Sequence, residues 1–541
     1  MTLDRRDFLR LSSLASVGCC TLGATRASAN NGVPTGDYKA LVVIMLRGGN
    51  DAHNMLLPLS ATDAYATYAA TRGSLAVADT TLTVPDATIA PGANPYRGDT
   101  PLDAAQAYLA GMYALPGMPL GVNSVMPEIA QLLESASVKA VLNTGNLVGP
   151  TSKAQIEDGS ADLPLFLFAH NHQRRQLELG RADQLNGPGW AGQLADRWFG
   201  AYDPAFPLGL NVSMDSASKM LTGERTTPVV LPSTGPTAFN PFAIDGAIDS
   251  NVDRLAANRR ALYQYLMGDP RAPRFDDTVR PPAQDYTTRT PRSPENLFEQ
   301  AYQRLGDRSD DVLAQLNDDW QATQARLAYT SADLYGNRGS DLFAIPSADD
   351  LNLELPSAFG SFIAQLAAIA TMIKLASDQG YGRQIFLAHL DGFDTHSNQA
   401  ETHPALLREL SLGLDKFHKA MGDLGLADNV LAYTQSDFGR TLSNNGDGTD
   451  HGWATHQLVL GGGMRTPGML GDAPSLALGS DDDISDKGRL IPTLANDQLT
   501  ATAVDWFGVT RDDLRALLPN LANFARDPGD IASALLGELL T

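Results

Sequence analysis

The stretch 431–463 constrains the fold more than any other part of the chain. An apolar run at 430–433 delivers Asp437 to what should be the carboxyl end of a buried strand. A loop rich in glycine and asparagine, 444–452, then carries Asp450 and His451 toward a second buried run at 458–460. In open α/β sheets ligands collect in the crevice outside the carboxyl ends of the strands. Carboxylates and histidines delivered there by one strand-loop-strand unit read as half of a metal site.

The rest of the chain supplies the other half. The run 39–46 is continuously apolar and of strand length, as in a strand buried on both faces. It ends in Arg47-Gly48-Gly49-Asn50-Asp51, where glycines permit a sharp turn and a close ligand. Further buried strands are expected at 138–143 and 383–390, the latter ending in Asp391, Asp394 and His396. An apolar run at 163–168 leads into His170, His172, Arg174 and Arg175. Two histidines at i and i+2 share a face on a strand but lie well apart on a helix, so at least one of them is expected to be structural. Helices are expected at 127–133, 357–379, 401–424, 490–506 and 514–524. Between 241 and 330 the charged helical periodicity, with a tip at 270–291 rich in proline and arginine, reads as a helical insertion or lid.

The 541 residues carry a formal charge of -22, which argues against nucleic acid and anionic membrane surfaces as partners, since both require basic patches. At the N-terminus, Arg5-Arg6, a short apolar run and Ala27-Ser28-Ala29 read as a cleaved twin-arginine signal peptide over 1–29. The Tat export machinery is therefore an expected partner, and the mature chain 30–541 is expected to be periplasmic or extracellular. Ser16-Val17-Gly18-Cys19 lacks the leading leucine of a lipoprotein cleavage box, which argues against anchoring. The two cysteines, Cys19 and Cys20, lie inside the leader, so disulfides and thiol chemistry are not expected after cleavage. No later stretch reads as a membrane span.

Three strand-ends thus carry the same chemistry: Asp51; Asp391, Asp394 and His396; Asp437, Asp450 and His451. Each residue alone has a bland reading as a cap, a turn aspartate or a core histidine. Together they offer the mixture of carboxylate and imidazole that metal sites use. The motifs Leu-Arg-Gly-Gly-Asn-Asp51, Leu-Phe-Ala-His170-Asn, Gly-Phe-Asp394-Thr-His396, Ser-Asp437-Phe-Gly-Arg440-Thr and Thr-Asp450-His451-Gly resemble the secreted bacterial family catalogued as domain of unknown function 1501.

The resemblance runs from about residue 39 to 463 and implies membership of the alkaline phosphatase and sulfatase superfamily. It therefore implies a three-layer α/β/α sandwich with a helical insertion, binding one or two divalent metal ions. Carried over by position, Asp51 and Asp437 would share one ion, while Asp394, His396 and His451 would hold the other, with Asp391 or Asp450 as an extra ligand or support. The superfamily's phosphatases have His after the strand-end Asp, where this chain has Phe438. The first site would then be carboxylate-only and better suited to Ca²⁺, Mg²⁺ or Mn²⁺, or be empty, and the choice among Zn²⁺, Ca²⁺, Mg²⁺ and Mn²⁺ stays open. The nucleophile is expected near Ala169, which cannot attack, so His170, His172, Thr144 or a coordinated hydroxide would have to substitute.

The function that the resemblance implies for these residues is exported, metal-dependent hydrolysis of a phosphate or sulfate ester, on an anionic small-molecule or polymer substrate. Arg47, Arg174, Arg175 and Arg440 are candidate anion clamps, because guanidinium matches such groups bidentately. The alternative is a non-catalytic metal-binding or surface-assembly protein that retains the fold, a reading favoured by Ala169 and Phe438.

Overall fold

The computed structural model describes residues 37–85, 103–198, 209–236 and 315–540. The leader read at 1–29 and most of the insertion read at 241–330 lie outside the described residues. The chain divides into two compact units, Met1–Thr25 with Gly235–Ala322, and Arg26–Thr234 with Thr323–Thr541. Few residues of the first unit are described; the second is described below.

In chain order its strands are β1 (Lys39–Arg47), β2 (Leu56–Pro58), β3 (Thr81–Leu82), β4 (Met112–Tyr113), β5 (Leu120–Asn123), β6 (Val138–Gly145), β7 (Asn211–Met214) and β8 (Val229–Leu231). Then come β9 (Arg383–Asp391), β10 (Val430–Ser436), β11 (Arg440–Asn444), β12 (Thr449–His451), β13 (Thr455–Gly461), β14 (Met469–Leu470) and β15 (Leu494–Ala495). Nine form one mixed sheet in the order β14-β6-β13-β10-β1-β9-β7-β8, with β15 also on β6. Every paired neighbour in it runs parallel except β13, which is antiparallel to β10 and to β6. The protein is therefore mixed α/β around a central sheet.

Strand β1 shows why the centre is stable. Leu41, Val43 and Met45 pack into one core with Trp190, Leu194, Leu499 and Val504. The alternate residues Ala40, Val42, Ile44 and Leu46 are equally buried, so the strand has no polar face to turn to water. Helix Ser361–Asp378 packs on β9 and on the helix Gln399–Asp423. By length and composition it could cross a bilayer, which the sequence reading did not anticipate, but 67% of it is buried inside the fold.

The register of the central strands places the site. Leu46 pairs with Ser436, and Arg47 with Asp391, so β1, β9 and β10 end flush at one edge. Because β13 runs the other way, its first residues return to that same edge. The segment read as a plain loop at 444–452 is partly ordered: β11 and β12 pair antiparallel, with Arg440 opposite His451. The helix expected at 490–506 begins only at Asn496, since Pro492 interrupts a helical start and 494–495 pair with β6 instead. Likewise the helix expected at 514–524 is Arg511–Leu517, and beyond Pro519 the chain tightens to a 3₁₀ turn.

Candidate metal centre

The donors meet through four separate segments. His170 opens the helix His170–Leu179, Asp394 and His396 follow β9, Asp437 follows β10, and His451 ends β12. His170 Nε2 lies 3.0 Å from His451 Nε2 and 3.4 Å from Asp394 Oδ1. The third side of this triangle, His451 Nε2 to Asp394 Oδ1, is 3.3 Å. His396 Nε2 stands 2.8 Å from His451 Nε2 and 3.2 Å from Asp394 Oδ1. The donor atoms of His170, Asp394 and His451 all lie within 4.8 Å of one another.

Hydrogen bonds on the far side of each ring decide which nitrogen faces inward. Asp437 Oδ2 accepts from His170 Nδ1 at 2.9 Å, and the Phe168 carbonyl accepts from His451 Nδ1 at 2.8 Å. A carboxylate and a carbonyl can only accept, so both Nδ1 atoms carry the hydrogen. In the neutral rings the two Nε2 lone pairs then point at each other across 3.0 Å. That arrangement is repulsive unless a proton on one ring or a metal cation lies between them. Burial first, and then the neighbouring His170 and Arg440, hold His451 below the ordinary imidazole range, which favours its neutral form. His396 is oriented in the same way, with Nδ1 3.4 Å from Asp450 Oδ1.

Asp394 is anchored by Arg440, whose Nη1 donates to Oδ1 at 2.9 Å. Partial burial alone would raise this carboxyl, but the guanidinium more than offsets that and holds it below the usual range. Arg440 is itself buried, and each of its three nitrogens is engaged: it also donates to the Gly48 carbonyl and to both oxygens of Thr449. It is therefore placed as a brace for Asp394 rather than as an anion clamp. Phe438, which looked from the sequence like a missing ligand, packs its ring 4.5 Å from that of His170 and 4.6 Å from that of His451. It forms an apolar wall that fixes both imidazoles. Asp437 Oδ2 also accepts from the Gly48 amide at 3.1 Å, while its buried Oδ1 has no hydrogen-bond partner.

Several expected site residues lie elsewhere. Asp51, expected beside Asp437, is engaged by other side chains. It is fully buried and forms a two-pronged pair with Arg72, at 2.9 Å from Nη1 to Oδ2, and accepts from Gln399 Nε2. Burial would raise Asp51, but Arg72 overrides it and keeps the group ionised. Asp391 is exposed and faces Arg47 at 3.5 Å and His389 at 3.8 Å, so neither Asp391 nor Arg47 reaches the cluster. His172 stacks on Phe166 with centroids 4.4 Å apart, the outcome that helical spacing from His170 requires. Arg174 bonds Asn171, and Arg175 pairs with Glu178. Asp450 supports His396 and does not join the three central donors.

Arg72, Gln399 and Arg489 were missed. Arg72 and Gln399 join the site only through tertiary pairing. Gln399 Oε1 accepts from Thr449 Oγ1 at 2.7 Å, linking the buried Asp51 pair to the strand that ends at His451. Arg489 Nε donates to the His451 carbonyl at 2.9 Å, and its guanidinium lies 4.7 Å from the centroid of the Phe168 ring.

Fold and site together define a mixed α/β protein with a histidine-carboxylate cluster at the carboxyl edge of its sheet. Residues 284–511 match the family model described as protein of unknown function (DUF1501). The matched span contains Asp394, His396, Asp437 and His451; His170 and Asp51 precede it. No curated protein matches the chain.

Proposed function

We propose that the chain is an exported, metal-dependent hydrolase of a phosphate or sulfate ester, on an alkaline phosphatase/sulfatase-like α/β/α sandwich. The observation that carries the reading is the triangle of His170 Nε2, His451 Nε2 and Asp394 Oδ1, with sides of 3.0, 3.3 and 3.4 Å. A tetrahedral ion with bonds of about 2.0–2.1 Å places its ligands roughly 3.3–3.4 Å apart, so these donors match one face of such a polyhedron. Three donors leave a position for water or substrate, the pattern of a catalytic rather than a structural site. Two imidazoles and one carboxylate suit Zn²⁺ and its first-row neighbours better than Ca²⁺ or Mg²⁺. With Asp51 committed to Arg72, one ion fits these residues better than two.

A divalent ion here would polarise an ester oxygen and lower the pKa of a coordinated water. The protein's own groups supply the rest. Asp437 and the Phe168 carbonyl fix the rings of His170 and His451, Arg440 fixes Asp394, and Phe438 shields one side from water. Arg489, beside His451, is the cation best placed to meet the anionic group. His396, held by Asp450 and adjacent to the triangle, is placed to complete the ligand set or to exchange a proton with the leaving oxygen. The twin-arginine leader supports export of the folded, metal-loaded chain.

The test is turnover of 4-nitrophenyl phosphate, bis(4-nitrophenyl) phosphate and 4-nitrophenyl sulfate by the purified chain under Zn²⁺, Mn²⁺, Ca²⁺ and Mg²⁺ in parallel. Activity on at least one ester is expected, falling about 100-fold or more in His451→Ala, on the order seen when a positioned catalytic group is removed. Metal binding without any turnover would instead favour the non-catalytic reading. Ala169 supports that alternative, since it places no hydroxyl at the start of the His170 helix.

A further inference from the structure

The segment 163–168, immediately before His170, breaks two rules at once. Leu163, Leu165 and Phe166 are 38%, 42% and 63% exposed, three of the five large apolar side chains that the described residues expose. Phe166 and Phe168 also hold φ values of +51° and +72°, a left-handed conformation that bulky residues avoid. Neither feature comes from looseness. The Leu165 carbonyl accepts from Gln173 Nε2 at 3.1 Å and Gln176 Nε2 at 2.8 Å, and both glutamines are buried. The Ala169 amide donates to the Phe166 carbonyl at 3.1 Å, and the Phe168 carbonyl holds His451. Two buried amide side chains and an imidazole thus pin a strained loop that presents apolar groups to water. Strain retained at such a place points to function, and clustered exposed apolar groups point to something that covers them.

The loop is continuous with the donor cluster. Its last carbonyl bonds one proposed ligand, His451, and its next residue but one is another, His170. The Phe166 ring stacks on His172, and Arg489 lies over Phe168. A molecule whose anionic end reached the cluster would lay whatever lies a few bonds away along this lip. Resting on the ester-hydrolase reading, we propose that residues 163–168 form the substrate's apolar anchor, so that the preferred esters carry an aromatic or medium-length alkyl group. Phe166 and Leu165 would be its specificity-determining residues.

The experiment compares two inert anions of equal charge, phenylphosphonate and methylphosphonate, binding to the Zn²⁺- or Mn²⁺-loaded chain by calorimetry. Phenylphosphonate should bind about 10-fold or more tightly, in keeping with burial of one aromatic ring. Leu165→Ser and Phe166→Asn should bring the ratio close to one while leaving methylphosphonate affinity and metal content unchanged; asparagine tolerates the left-handed backbone at 166. Equal binding of both anions, or a preference that survives in the variants, would overturn the anchor alone. If neither anion binds, the ester-site reading falls and the anchor with it. Two further results would also overturn it: a dimer that dissociates in Phe166→Asn, or sedimentation with phosphatidylcholine vesicles that this variant loses, each with the anion ratio unmoved. Those results would assign the loop to a second copy or to a bilayer.

Discussion

Asp437 carries more of the centre than its distance from the donor triangle suggests. Its Oδ2 accepts from both His170 Nδ1 and the Gly48 amide, so it sets the ring's tautomer and ties the end of β10 to the turn after β1. Partners of this kind, one bond beyond a ligand, typically change metal affinity 10–100-fold when removed. Asp437→Ala is expected to weaken binding by that amount while circular dichroism stays native, measured by competition with a chromophoric chelator; unchanged affinity would mean that His170 is oriented by something else. Residue by residue, the sequence was a partial guide. The importance of Asp394, Asp437 and His451 could be read from their places after apolar runs. The separation of His170 from His172 followed as soon as the segment was helical. Phe438 was legible only as a non-ligand, because its packing against two imidazoles from other segments leaves no local pattern.

The flush ends of β1, β9 and β10 bring segments hundreds of residues apart into contact, and two tight features hold them there. At Gly48, with φ at +116°, an added Cβ would lie 2.4 Å from the Asp394 amide nitrogen. Gly48→Ala should therefore cost about 1–2 kcal/mol in backbone strain, with a further loss of metal affinity as the Asp394 loop is pushed away. Chemical denaturation and metal titration on one variant would separate the two effects. The second feature is the buried Asp51–Arg72 pair, which joins the turn after β1 to the helix Asp63–Arg72. Arg72→Met leaves an uncompensated buried carboxylate and should destabilise by roughly 3–5 kcal/mol, most of it restored when Asp51→Asn is added. Urea unfolding of the single and double variants is the check, and a double variant no better than the single would contradict it. The sequence marked Asp51 as important but not why. The strands were legible as unbroken apolar runs, whereas the partner that claims Asp51 sits on a helix whose pattern gives no sign of it.

Across the whole molecule, buried titratable groups pull stability in opposite directions with pH. His403 and His456 are fully buried and burial depresses each to about 4. The unfolded chain binds their protons first, so their contribution is complete above about pH 6.5 and is lost as pH falls toward 4. Asp497 is the reverse case. Burial, then the neighbouring Asp183, raise it to about 7, so its contribution is complete below about pH 4 and is lost as pH rises through 7. Asp497→Asn removes the second slope. Relative to wild type, the variant should gain stability between pH 4 and pH 8, by up to about 4 kcal/mol at 1.36 kcal/mol per unit. A difference independent of pH would show that Asp497 is charged in the folded state throughout. None of this was legible beforehand, because burial of these groups depends on how sheet and helices close around them.

The metal content of the purified chain tests the centre most directly. Wild type, His451→Ala and Asp394→Asn would be equilibrated with Zn²⁺ or Mn²⁺, desalted and measured by inductively coupled plasma mass spectrometry. If His170, Asp394 and His451 hold an ion, wild type retains about one per chain and both variants lose most of it, as expected for a site of three protein ligands. A wild-type chain that retains none, or variants that retain as much as wild type, would contradict the assignment.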